Sequence, residues 1–267
     1  MFSRLLSKIG RALAKFLSQE RDNYVPLARP DHIDAVRKIL QPGDVLLVEG
    51  RSRFSIGIKY LTQSTWSHSA IYVGNCGGPV DDPNCLVEAD VIKGVVVLPL
   101  SKYSEHNVRI CRAIGLDPGD AQAVIDHVKA RIGHQYDLKN VIDLARWLFP
   151  TPPIPRRFRR SLMSMGSGDP TRAICSTLIA QAYQSVRYPI LPLVEKRQLQ
   201  SPSGIERTLQ VLRIRHHSLF APRDFDLSPY FSIVKPTLER GFDPAKLVWA
   251  EDDPVQITQH NREQDVR

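Results

Sequence analysis

Cys175 is a residue whose position could make it a nucleophile. It stands at the predicted beginning of a helix whose apolar positions include Leu178 and Ile179. The N-terminus of a helix stabilises a thiolate through its unpaired N–H groups and its dipole, which lowers the pKa of the thiol. A small cysteine buried in the core is the commoner alternative. The position of Cys175 alone therefore leaves both interpretations open.

His68 and Glu88 could supply the acid–base chemistry that a thiol needs. His68 precedes the apolar run 69–73, which would hold its ring at the edge of a strand, although a capping or core histidine is an equally ordinary explanation. Glu88 lies in the middle of the apolar strand 86–89, where an unpaired carboxylate is costly to bury. Glu88 therefore either faces solvent at a sheet edge or has a partner such as a histidine on an adjacent strand. With Cys175, these residues form the nucleophile, base and orienting group of thiol acyl transfer.

The predicted elements that position these residues are mostly strands first and helices later. Apolar runs bounded by turn residues predict strands, whereas helical spacing and capping residues predict helices. The order of strands followed by helices favours an α+β fold with an antiparallel sheet. Beyond Tyr188 the chain is broken by prolines and yields no clear pattern. The predicted strands are 44–48, 69–73, 86–89, 94–98 and 108–113, and the predicted helices are 33–40, one through Phe54, Ile58 and Leu61, 117–132, 138–148 and one that follows Asp169-Pro170.

Composition excludes several classes of protein. With 267 residues of which 42% are hydrophobic, the chain is neither disordered nor collagen-like. Its four cysteines lack the Cys/His spacing of zinc sites, so free thiols in a reducing compartment, no metal and no cofactor are expected. No apolar stretch is long enough to span a membrane, and lysines and arginines interrupt the N-terminal apolar run of a secretory signal, so a cytoplasmic location is expected.

The net charge of +8 is concentrated in two short segments. Residues 1–22 predict an amphipathic basic helix whose acid-free polar face carries Arg4, Lys8, Arg11 and Lys15. Its apolar face could dock on the protein's own core, but the polar face favours an anionic membrane surface bound through residues 1–20, at the inner face of the membrane. The second segment is an Arg/Pro-rich insertion at 150–170 that contains Arg156–Arg160. This cluster has few aromatic neighbours, so no nucleic-acid partner is expected.

Six short blocks in one order carry a family resemblance. The chain resembles the circularly permuted papain-like cysteine amidases of the YiiX/YaeF type, within the NlpC-like cysteine peptidase superfamily, over roughly residues 40–187. The resemblance implies a permuted papain-like (NlpC-like) fold, in which an antiparallel sheet packs against helices that include the nucleophile helix. The expected domain covers 30–250, and a polar tail follows at 251–267. The blocks are residues 42–47, 59–64, 66–73, 87–89, 133–137 and 174–179.

The resemblance also implies roles for four site residues. Cys175 resembles the nucleophile of the family, His68 its general base and Glu88 the group that orients the imidazole. Tyr136, in the Gly-x-x-Tyr-Asp turn, resembles the tyrosine that lines the site and hydrogen-bonds the oxyanion. The longer loop between Cys76 and Cys85 separates His68 from Glu88 more than the family pattern does.

These roles imply a thiol-dependent hydrolase of the amidase or peptidase kind. It would cleave an amide or acyl bond through a Cys-His-Glu triad and a thioester acyl-enzyme. The expected substrate is an amide- or acyl-containing small molecule, peptide or lipid. One alternative is a membrane-associated lipid acyltransferase or phospholipase, because the same permuted architecture resembles lecithin:retinol acyltransferase. The other alternative is a catalytically silent scaffold bound to a membrane.

Overall fold

The computed structural model describes residues 33–135, 174–200 and 206–236, together with residues 16, 18, 19, 241 and 243. Only the backbone is described for residues 174, 196–200 and 206–210. Tyr136, most of the N-terminal segment 1–22, the predicted helix 138–148, the insertion 150–170 and the tail 251–267 lie outside the described residues. The division of the chain into an N-terminal helix, a central domain and a tail stays a prediction.

The described elements comprise helices and strands in a mixed order. The helices are α1 (Ile33–Ile39), α2 (Arg53–Thr62), α3 (Pro118–Lys129), α4 (Ile174–Ser185) and α5 (Arg223–Leu227), with 3-10 turns at Leu100–Tyr103 and His217–Leu219. The strands are β1 (Val45–Val48), β2 (His68–Tyr72), β3 (Asn84–Asp90), β4 (Gly94–Pro99), β5 (Val108–Ala113), β6 (Leu193–Gln200), β7 (Glu206–Arg213) and β8 (Phe231–Val234).

Six of these strands form one antiparallel sheet. Its strand order is β4-β3-β2-β1-β5-β8, and β6 and β7 form a separate two-stranded ribbon. The central strand β1 pairs with β2 through Val48 and His68, and with β5 through Val48 and Val108. The predicted α+β class with an antiparallel sheet is confirmed.

Both faces of the sheet are covered, which is why β1 is apolar at every position. Val45 and Leu47 face a core that includes buried residues of α3 and α4, such as Val128 and Tyr183. Leu46 and Val48 face a second core built with α1 and the 3-10 turn at Leu100–Tyr103. A strand buried on both faces has a continuous apolar run rather than an alternating one. The helices and the sheet therefore fix the positions of the strand ends at which the candidate site lies.

The predicted and observed boundaries agree closely over the first half of the chain. Strand β5 matches its prediction, and the other four predicted strands differ by one or two residues at their ends. Helix α3 begins at Pro118 after the Asp117 cap, as predicted, but it ends at Lys129 because residues 130–133 form a turn. The β6–β7 ribbon, α5 and β8 were not predicted. No helix in the described part of the chain is long and apolar enough to cross a membrane.

Candidate active site

The register of β2 and β3 brings His68 and Glu88 together. Ala70 lies directly opposite Glu88, so His68, two residues before Ala70, is a diagonal neighbour of Glu88 on the same face. Nε2 of His68 lies 2.8 Å from Oε2 of Glu88. Of the two alternatives for Glu88, exposure at a sheet edge or a partner on an adjacent strand, the structure shows the second, and the long loop between the two strands does not separate the pair.

Glu88 is a buried carboxylate with three donors. Its side chain is 1% exposed and receives hydrogen bonds from His68, from the Tyr103 hydroxyl and from Lys102 Nζ, the last at 2.5 Å. Burial alone would raise its pKa, but the charges and hydrogen bonds of His68 and Lys102 outweigh burial and hold the pKa of Glu88 at about 2. Glu88 is therefore a fixed negative charge at the end of a hydrogen-bonded chain.

Cys175 lies in the first turn of α4, next to β2. Its side chain is buried, and its sulfur lies 3.9 Å from Oγ of Ser176. Burial opposes the thiolate, yet the charge and hydrogen bonding of His68, together with hydrogen bonding from Ser69, lower the pKa of Cys175 below its usual value. Burial instead raises the pKa of Cys111 to about 12 and also raises that of Cys85. Cys175 is thus chemically distinct from these two buried thiols.

His68 connects the thiol to the carboxylate. Burial would lower the pKa of the ring, but the charges of Glu88 and Cys175 and the hydrogen bonds to both raise it to about 10. Because Nε2 is bonded to Glu88, Nδ1 is the ring nitrogen available to the sulfur. The opposite shifts of His68 and Cys175 favour a thiolate–imidazolium pair at neutral pH.

A cavity of about 280 Å³ opens over this cluster. Cys175, His68 and Lys102 line it, and so do residues from the loop between β1 and α2, among them Arg51 and Ser52. This loop is held against the site because the Gly50 N–H donates to Ser67 Oγ at 2.9 Å. A Cβ atom at Gly50 would lie 2.2 Å from Ser55 Oγ, so only glycine allows this close approach.

The structure brings together three of the four predicted site residues. His68, Glu88 and Cys175 share one site, while Tyr136 lies outside the described residues. Lys102 and Tyr103 were missed, because they follow β4 in a 3-10 turn that no periodic pattern marks. The available signal was the need of a buried Glu88 for compensating donors. Within the described residues, no group of three or more His, Cys, Asp or Glu side chains could hold a metal ion.

Comparisons with known proteins show which family the chain resembles. Residues 39–146 match the model of the family described as "Permuted papain-like amidase enzyme, YaeF/YiiX, C92 family". A curated relative, the "Probable lipoprotein peptidase YaeF" of Escherichia coli (strain K12), is 24% identical over 167 residues. That match covers 57% of this chain and 58% of the relative, so it spans little more than half of the relative's length.

A solved structure is also similar to the chain. It is titled "Crystal structure of metalloprotein yiiX from Escherichia coli O157:H7, DUF1105", is 19% identical, and aligns with a TM-score of 0.42 over 73% of this chain and 96% of that one. The family match over residues 39–146 and the similarity to the curated relative together confirm the resemblance of this chain to the permuted papain-like amidases of the YaeF/YiiX type.

Proposed function

We propose that this protein is a cysteine hydrolase that cleaves an amide or acyl bond, with Cys175 as nucleophile, His68 as acid and base, and Glu88 as the orienting group. The observation that carries the proposal is the placement of Cys175, His68 and Glu88 around one cavity, where His68 is bonded to Glu88, the thiol pKa is lowered and the imidazole pKa is raised. Opposite shifts in two neighbouring groups are typical of an acid–base pair at a catalytic site. The family match supports a hydrolase of the amidase or peptidase kind.

The proposed acylation step begins with the ion pair. The Cys175 thiolate attacks the acyl carbon, and an S–C bond forms while the carbonyl electron pair moves to oxygen. When the tetrahedral intermediate collapses, the C–N or C–O bond breaks and the His68 imidazolium gives its proton to the leaving amine or alcohol. The product of this step is a thioester on Cys175. The backbone N–H of Cys175 and the Tyr136 hydroxyl are the proposed donors to the oxyanion.

Deacylation reverses the role of the imidazole. Neutral His68 takes a proton from a water molecule, whose oxygen attacks the thioester carbon and releases the acid and the thiolate. Glu88 keeps its charge throughout, because its pKa of about 2 lies far below neutral pH. It holds Nε2 of the ring and stabilises the imidazolium each time it forms.

The first test is a covalent adduct from a small activated ester. Intact-mass spectrometry of the protein after mixing with p-nitrophenyl acetate should show the addition of one acetyl group, and peptide mapping should place it on Cys175. Cys175→Ala should abolish both the adduct and turnover, and His68→Ala should reduce turnover by about 10²–10⁴-fold. Cys76→Ala is the matched control, because Cys76 is a half-buried free thiol that does not line the cavity.

The silent-scaffold alternative predicts a different outcome. In that case Cys175 would react no faster than Cys76 with iodoacetamide near neutral pH, and p-nitrophenyl acetate would give neither an acetyl adduct nor turnover. Either result would overturn the proposed function. Retained turnover in Cys175→Ala would overturn the assignment of the nucleophile alone.

A further inference from the structure

Arg51 is a cation in the candidate site that the proposed chemistry does not use. It lines the same cavity as Cys175 and His68, and its side chain is half-buried. Among the described residues its guanidinium forms no ion pair and no hydrogen bond. A guanidinium presents five donors in a planar fork suited to carboxylate and phosphate oxygens. An unpaired one beside a nucleophile is therefore a candidate group for substrate recognition.

The acids around Arg51 are already bound to other donors. Glu49, two residues away, is buried and bonds to Lys59 Nζ at 3.4 Å and to Asn107 Nδ2 at 2.7 Å. Glu88 is bonded to His68, Lys102 and Tyr103.

Asp90, the other acid among the described residues that line the cavity, also has hydrogen-bond partners. Oδ1 of Asp90 accepts the backbone N–H groups of Ile92 and Lys93, both at 2.7 Å. Each of these three described carboxylates thus has its own partners, and the charge of Arg51 is left for a molecule that enters the cavity.

The backbone of Arg51 is fixed relative to the reacting groups. Gly50 is bonded to Ser67, the residue before His68, and Val48 pairs with His68 across the sheet. On its other side, Ser52 caps α2 by accepting the N–H of Ser55 at 3.1 Å. Because both neighbours of Arg51 are fixed by hydrogen bonds, its Cα atom keeps a constant position near His68.

We infer that Arg51 binds an anionic oxygen group, a carboxylate or a phosphate, on the substrate whose acyl bond Cys175 attacks. This inference rests on the proposed function and narrows its substrate class to acyl compounds that carry an anion near the scissile bond. A charge-assisted hydrogen bond from a guanidinium favours the anionic substrate over a neutral analogue of the same size. Lys102 is not the principal recognition group, because its ammonium is already bonded to Glu88.

The test compares charged and neutral thiol reagents at Cys175. Methanethiosulfonates carrying a carboxylate, a sulfonate, a methyl or a trimethylammonium group transfer their thioalkyl group to a thiolate and release methanesulfinate. The rate at Cys175 is followed by peptide mass spectrometry near neutral pH. In Arg51→Gln we expect the rate of the anionic reagents, relative to that of the methyl reagent, to fall by about tenfold. Arg51→Lys should keep most of the preference for anionic reagents over the methyl reagent. The carboxylate and sulfonate arms separate a carboxylate site from a phosphate-like one.

Arg213→Gln is the matched control, since it removes the same charge from an exposed residue outside the cavity. Circular dichroism of each variant verifies its fold, and Arg51→Met provides a second neutral variant if Arg51→Gln is unstable. An unchanged ratio of anionic to neutral rates in the Arg51 variants, with Cys175 still reactive, would overturn the inference and leave the proposed function standing. An unreactive Cys175 in the unsubstituted protein would overturn both.

Discussion

Glu88 determines the pH range in which the imidazole of His68 stays charged. Its buried carboxylate lies 2.8 Å from Nε2 and is a principal cause of the raised pKa of the ring, about 10. A raised pKa means that the imidazolium is present at neutral pH and is lost as the pH rises through that value. The carboxylate is thus more than a positioning group, because it also sets the upper pH limit of the thiolate–imidazolium pair.

Glu88→Gln should lower the upper pH limit of that pair. Alkylation of Cys175 by chloroacetate, an anion, requires the thiolate and gains from the nearby imidazolium. In the unsubstituted protein we expect the rate to decline as the pH approaches about 10, where His68 loses its proton. Without the Glu88 charge the pKa of His68 falls, so the decline should begin at lower pH and the neutral-pH rate should drop by about tenfold.

Glu105→Gln is the control for that experiment, because Glu105 is an exposed acid outside the cavity. Its profile should match that of the unsubstituted protein. If the alkaline decline keeps its position in Glu88→Gln, the carboxylate does not support the charge of His68.

The 3-10 turn at Leu100–Tyr103 is the element that holds the Glu88 carboxylate in place. Leu100 anchors the turn in the second core, while Lys102 and Tyr103 direct two donors to Glu88. Burial and the neighbouring Glu88 charge raise the pKa of Tyr103, so its hydroxyl keeps its proton and donates. The turn therefore supports the site from the side opposite to α4, which carries Cys175, the proposed nucleophile.

Lys102→Met should make the protein more sensitive to acid. The pKa of Glu88 is held at about 2 partly by Lys102, so the stability that this carboxylate contributes is lost only as the pH falls through that value. Without the ammonium the pKa of Glu88 rises, and this loss should begin at higher pH. Urea unfolding at pH 7 and pH 4 should show a larger drop for Lys102→Met than for Lys93→Met, in which an exposed lysine is replaced. Equal drops in the two variants would contradict the role of Lys102.

The ion pair of Arg112 and Asp44 connects β5 to the beginning of β1. Arg112 on β5 donates from Nε and from one terminal nitrogen to the two carboxylate oxygens of Asp44, at 2.8 and 2.7 Å, and also to the Ile39 carbonyl at the end of α1. Asp44 is 2% exposed. Removal of the arginine would leave a buried carboxylate without its charge partner.

Arg112→Met should reduce the free energy of unfolding by about 2–4 kcal/mol, which urea denaturation measures. Arg213→Met breaks an exposed pair with Glu195 and should cost less than about 1 kcal/mol. The double variant Asp44→Leu/Arg112→Met should recover part of the loss, because no uncompensated charge remains. A loss in Arg112→Met no larger than that in Arg213→Met would show that the buried pair does not stabilise the sheet.

Local patterns were sufficient to predict the elements that carry the site, but not the contacts between them. Strands β1 to β5 show apolar runs bounded by turn residues, and the α3 start is marked by Asp117-Pro118, so both follow from neighbouring residues. Strand β8 is four residues long with two exposed positions, and its pairing with β5 depends on contacts distant in sequence. Lys102 and Tyr103 were missed for the same reason, because their roles depend on contacts with Glu88, which lies on another element. Glu88 could be found because an acid in an apolar strand is costly wherever the strand lies.

At the scale of the whole molecule, the candidate site lies next to the end of the N-terminal segment. The Arg53 guanidinium lies 4.2 Å from the centre of the Phe16 ring and bonds to Gln19 Oε1 at 2.8 Å, and Ser18 lines the site cavity. Phe16 is nevertheless 47% exposed. Residues 1–15 lie outside the described part of the chain, so binding of this segment to an anionic membrane stays a prediction, as does the cytoplasmic location.

A vesicle-binding experiment tests whether the N-terminal segment binds an anionic membrane. The protein should co-sediment with vesicles containing phosphatidylserine but not with phosphatidylcholine alone, and deletion of residues 1–20 should abolish binding. Each cation near an anionic surface contributes about 1 kcal/mol, so replacing Arg4, Lys8, Arg11 and Lys15 with Gln should weaken binding by roughly a hundredfold or more.

The matched control replaces Arg156, Arg157, Arg159 and Arg160 with Gln, which removes the same charge from the other basic segment. Equal weakening by both sets of substitutions would assign the attraction to net charge, whereas undiminished binding after the deletion would show that the membrane contact lies elsewhere. If the N-terminal set alone matters, the contacts of residues 16, 18 and 19 would hold the mouth of the cavity close to the lipid surface, where acyl substrates with anionic groups are abundant.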